Sequence, residues 1–104
     1  MRIEKVEEKL IELKGKDHPV LNDFLSANSP EEKLRIAKDY LNEAEEWIRQ
    51  CQSDFFYWIY ERDRMLAEIL VAIAQARKNG KTEIPDFPKS YYELDNWLKV
   101  VQGQ

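Results

Sequence analysis

The sequence predicts an all-α protein organised around one long, heptad-patterned helix, and three observations say so. Breakers are scarce: 3 Gly and 4 Pro in 104 residues, against 35% charged residues, a balance common in long helices. Apolar residues recur at alternating spacings of three and four, the signature of one helix face. Finally, a strong helix start, "SPEE" at 29–32, is followed by no Gly or Pro until the stop signal "RKNG" at 77–80.

The elements follow in order. A first helix is expected over about 2–14, where Ile3, Val6, Leu10 and Leu13 share a face and Gly15 ends it. A short second helix spans about 18–27, capped by Asp17, with Pro19 in the first turn, where its missing N–H costs nothing. Val20, Leu21, Phe24 and Leu25 form its apolar side. At 29–32, Ser29 is the N-cap, Pro30 stands at N1 and Glu32 completes a capping box. From there Leu34, Ala37, Leu41, Ala44, Ile48, Cys51, Phe55, Trp58, Arg62, Met65, Ile69, Ala72, Ala76 and Asn79 keep an a/d register without a change of phase. A loop inserted near 50–54 usually shifts that phase, so a continuous helix over 30–79 is expected. The alternative is a break near Ser53 or Asp54, both suitable N-caps. An extended linker over 80–89 carries Pro85 and Pro88, with Ile84 and Phe87 placed to pin it. The last helix covers about 90–101. It opens on a Ser90/Glu93 capping box and carries Tyr91, Leu94, Trp97, Leu98 and Val101 on its apolar side. The whole, 1–104, reads as a single domain.

A 50-residue helix is about 75 Å long, far more than the remaining short helices can wrap. From Phe55 to Ala74 it is apolar nearly all round, and a helix hydrophobic on every side is buried on every side. The run "FFYWIY" at 55–60 samples every direction around the axis. The expectation is therefore a bundle completed by dimerisation, with Trp47, Phe55, Phe56, Trp58, Ile59, Arg62, Met65, Leu66 and Ile69 at the protein interface. A two-fold pair is the simplest closed arrangement.

Bulk properties exclude several functions. The net charge of −4 does not suit a protein made to neutralise a phosphate backbone. A single cysteine, Cys51, rules out an intrachain disulfide and a cysteine zinc cluster and fits a cytoplasmic setting. The most apolar stretch, 65–76, is too short to span a bilayer and carries Glu68.

Few residues point to chemistry. His18 is the sole histidine, so no multi-histidine metal motif exists; it reads as a first-turn surface residue. Cys51 has no histidine nearby in sequence and reads as a small buried hydrophobe. Arg62 interrupts the apolar seam between Trp58 and Met65, either paired with a carboxylate or reaching water along its stem. Arg77, Lys78, Lys81 and Lys89 form the one basic patch. They are candidate nucleic-acid contacts if Tyr92 or Trp97 stacks beside them, and otherwise cations complementing a helix C-terminus. Glu43 and Glu46 make an E-x-x-E pair similar to that with which all-α dimeric nucleotide pyrophosphohydrolases hold magnesium. That family also needs an E-x-x-D on the following helix, and Glu61 is followed by Asp63 at the wrong spacing.

The sequence thus leads to a non-catalytic helical interaction protein, a small subunit, adaptor or assembly factor. It needs no metal or cofactor, associates with itself and with another protein, and has no membrane segment. A nucleic-acid-associated helical subunit is the alternative, and a magnesium-dependent nucleotide hydrolase the remote one.

Overall fold

A computed structural model of the chain describes residues 1–15 and 17–103, with the side chain of Tyr91 left out. The described residues are all-helical: α1 (Ile3–Lys14), α2 (Pro19–Ser26), α3 (Pro30–Gln50), α4 (Asp54–Lys78) and, after a 3-10 turn over Tyr91–Glu93, α5 (Leu94–Val101). They contain no strand, only an isolated antiparallel bridge between Arg2 and Glu83.

The stretch expected as one helix over 30–79 is two. Cys51 and Ser53 adopt extended backbone, with φ/ψ of −72/130 and −118/128. The chain turns back there, and α3 and α4 pack along one another. Tyr40 meets Asp63 and Trp47 meets Tyr60, so the two helices run antiparallel. A rod of about 75 Å gives way to a body of 41 × 27 × 23 Å. The break gives up a few helical hydrogen bonds and gains an interface along α3. The uninterrupted heptad phase misleads because the first half of α4 does not carry that seam toward α3: Tyr60 and Asp63 meet Trp47 and Tyr40, while Phe55, Trp58 and Arg62 of the seam are exposed.

The remaining local signals hold in part. Ser29 Oγ accepts from the Glu32 N–H at 3.1 Å, half of a capping box. Asn79 and Gly80 end α4 with a Schellman pattern: Lys81 N–H donates to the Ala76 carbonyl at 2.9 Å and Gly80 N–H to Arg77 at 3.0 Å, with Gly80 at φ 81. At α2 the cap is His18, whose Nδ1 accepts from Leu21 N–H at 3.3 Å, in place of Asp17. The Ser90/Glu93 box does not form, because the Glu93 carboxylate accepts from Lys89 N–H at 3.1 Å; α5 starts later, at Leu94. Tyr91, expected on the apolar side of that helix, lies outside the described side chains.

The core gathers Ile3, Val6 and Leu10 of α1, Leu21 and Phe24 of α2, Leu34 and Ala37 of α3, Leu66, Ile69, Leu70, Ala72, Ile73, Ala74 and Ala76 of α4, and Leu94, Trp97 and Val101 of α5. The linker seals one side of it. Ile3 N–H donates to Thr82 at 3.1 Å, Ile84 N–H to Met1 at 2.8 Å, and Trp97 Nε1 to Pro85 at 3.1 Å, with Ile84 buried beneath. Three successive residues, Ala72, Ile73 and Ala74, are completely buried, so the C-terminal half of α4 is enclosed by one chain. Alanines at 67, 72, 74 and 76 make this possible by letting neighbouring elements approach the helix closely.

Candidate functional site

The N-terminal half of α4 is a different environment. It projects with the end of α3 beyond the elements that wrap the other half. Phe55, Phe56, Tyr57, Trp58 and Ile59 are 71%, 50%, 40%, 65% and 39% exposed, and Trp47 on α3 is 49% exposed. Six large apolar side chains therefore cluster on the surface at the tip of the hairpin. They present about 600 Å² of side-chain surface, taking about 200 Å² for a whole aromatic side chain. The total is spread around the helix, because five successive residues turn through more than a full circle; grouped exposure of this kind differs from the scattered single apolar residues of an ordinary surface.

The cluster is ordered by its own ring contacts. Trp47 and Phe56 both stack on Tyr60, at centroid separations of 5.7 and 6.4 Å. Phe55 meets Phe56 edge-on at 5.5 Å, and Tyr57 meets Trp58 edge-on at 5.6 Å. Pairs of this kind contribute about 0.5–1.5 kcal/mol each beyond area burial. Below Tyr60, the Tyr40 hydroxyl donates to Asp63 at 2.7 Å. Burial and the Asp63 carboxylate both push that phenol far above its ordinary pKa, so it remains a donor. Arg64 bridges Glu61 at 2.9 Å and Glu68 at 2.7 Å. Desolvation raises the Glu68 carboxyl above its ordinary value although Arg64 opposes the shift.

Alongside the same helix runs an apolar groove of about 410 Å³ between α4, the end of α1 and the linker. Met65, Leu66 and Ile69 form its floor, and Leu13, Phe87 and Pro88 its walls. Leu66 and Ile69, expected to face a second chain, are thus buried within this one, at 2% and 4% exposure. Trp47, Phe55, Phe56, Trp58 and Ile59 stay outside. Met65 is half-buried, and Arg62 is exposed with no ion pair or hydrogen bond among the described residues.

The residues weighed for chemistry are dispersed. Arg77 binds Glu7, a buried carboxylate on α1, and lies 4.0 Å from Glu4. Lys81 Nζ donates to the Val101 carbonyl at 2.6 Å and so caps α5. Of the basic patch, only Lys78 and Lys89 are exposed. Glu46 is engaged by Arg49 and by Gln50 at 2.7 Å, and Asp63 by Tyr40. Among the described residues no group of three or more His, Cys, Asp or Glu side chains could hold a metal ion. No described helix is long and apolar enough to cross a membrane. Cys51 is half-buried, and its thiol donates to the Ser53 carbonyl at 3.1 Å within the hairpin turn. Sequence reasoning missed the Glu7–Arg77 pair, which joins residues 70 positions apart.

Compared with protein families, with curated proteins and with solved structures, the chain matches none.

Proposed function

We propose that this protein is a non-catalytic helical interaction module that presents the aromatic turn at 55–59, with Trp47, to another polypeptide. One observation carries the reading: five successive large apolar residues stand exposed at the start of α4, in a chain that completely buries residues 72–74 of the same helix. The chain has apolar surface to hide and encloses one half of α4 while leaving the other open. Interfaces concentrate their binding energy in clusters of Trp, Tyr and Arg, and Trp58, Tyr57 and Arg62 supply that composition. The nucleic-acid alternative draws less support, since Arg77 is engaged by Glu7 and Lys81 by the Val101 carbonyl.

The test compares wild type with a Phe55→Ser/Trp58→Ser double variant. Both positions are mostly exposed, so helix content and melting temperature stay close to wild type. Association, read by light scattering and by affinity capture from the native host, falls. Two proteins that behave alike in both assays overturn the reading.

A further inference from the structure

We infer that the polypeptide covering the aromatic turn is a second copy of this chain, docked antiparallel in one register; the inference rests on the reading of that turn as a docking surface. Two complementary features lie along α4. The first is a knob, Phe55 and Trp58, the two most exposed rings of the run. The second is the apolar groove floored by Met65 and Leu66 and walled by Leu13, Phe87 and Pro88. Phe55 and Met65 are ten residues apart, about 15 Å along the helix. A two-fold axis at the level of Tyr60 carries each protomer's knob into the other's groove. The contact is then self-complementary and closes at two copies.

Phe55, Trp58, Arg62 and Met65 follow spacings of three, four and three, so they form one stripe. Run antiparallel, the stripe matches itself: Phe55 comes level with the partner's Met65, and Trp58 with the partner's Arg62, each contact made twice. A guanidinium over an indole face and a thioether at a ring edge are both favourable. The register explains why a cation without an ion pair among the described residues interrupts this stripe. Arg62 and Met65 also line, with Trp58 and Glu61, a recess of about 240 Å³ beside the indole.

Charge agrees with the register. Asp54 is exposed beside Phe55 and has no ion pair among the described residues. When Phe55 enters the partner's groove, Asp54 reaches its rim, where Lys14 and Lys89 stand. Neither lysine has an ion pair among the described residues.

The experiment is a charge exchange read by sedimentation velocity on the full chain. Asp54→Lys places like charges at both rims of its homodimer, and Lys14→Asp/Lys89→Asp does the same with opposite sign. Each variant alone dimerises at least about tenfold more weakly than wild type. Their equimolar mixture matches every Asp54 site with its opposite and restores the dimer. In a second arm, Arg62→Ala weakens dimerisation about tenfold to a hundredfold, from two lost cation–π contacts, and Arg62→Lys recovers part of it. Variants that dimerise like wild type, or a mixture that fails to recover, overturn the register. Wild type that remains monomeric at near-millimolar concentration overturns the second-copy inference. The docking reading then stands or falls separately on whether Phe55→Ser/Trp58→Ser loses a captured host protein.

Discussion

Replacing Glu7 with Ala should be among the most damaging polar substitutions in the molecule. Glu7 is buried on α1, and its carboxylate holds Arg77 of α4. It is also the negative charge that favours the protonated form of Lys33, whose pKa burial pulls downward. Lys33 in turn donates to the Phe24 and Leu25 carbonyls at 2.8 and 3.4 Å, closing the end of α2, and sits 4.9 Å above the Phe24 ring. Glu7 therefore neutralises cations from two other helices. Removing one partner of a fully buried ion pair costs about 3–5 kcal/mol. The Arg77 side chain is 24% exposed, and water reaching it reduces the cost to about 2–3 kcal/mol. In a domain of this size that lowers the melting temperature by roughly 10 °C or more. Urea unfolding followed by far-UV circular dichroism measures it. The double variant Glu7→Leu/Arg77→Leu should lose less than the two single losses added together, because no charge is stranded. A Glu7→Ala cost below about 1 kcal/mol, or strict additivity in the double variant, refutes this account of the α1–α4 junction.

Three further outcomes follow from the structure. Ser29→Ala removes the acceptor for Glu32 N–H at the start of α3 and should cost about 1 kcal/mol, whereas Asp17→Ala should cost little, because His18 caps α2; thermal melts of both variants decide. Phe24→Ala empties a fully buried site at the centre of the core and should cost about 3–5 kcal/mol in the same assay. The Glu68 carboxyl is raised mainly by desolvation, so its contribution is present below the ordinary glutamate pKa and is lost as pH rises through the raised value. Glu68→Gln should abolish that loss and leave the protein at least as stable near neutral pH, as melting temperatures across mildly acidic pH would show.

Much of the fold was legible because local chemistry fixed it. Ser29-Pro30 starts α3, Gly80 in the left-handed region stops α4, and Ile84 pins the linker; each works through nearby groups. The turn at 51–53 was not legible as the preferred path. It holds no Gly or Pro, Ser53 makes no side-chain cap bond, and the apolar phase runs straight through it. Antiparallel packing of α3 on α4 decides it, through contacts such as Tyr40–Asp63 that join residues 23 positions apart. The site divides at the same boundary. Trp47, Phe55, Phe56, Trp58 and Ile59 stand exposed on this chain. Leu66 and Ile69 do not, because α1 and the linker reach them. Periodicity says that a helix has several apolar faces; which face the chain itself covers depends on long-range packing.

The central claim is that one chain encloses the C-terminal half of α4 and leaves the aromatic turn uncovered. Hydroxyl-radical footprinting of dilute and concentrated protein reads both halves in a single measurement. Residues 55–59 should react rapidly when dilute and become protected on concentration, while 72–74 stay protected throughout. Equal protection of both segments at every concentration would contradict the account.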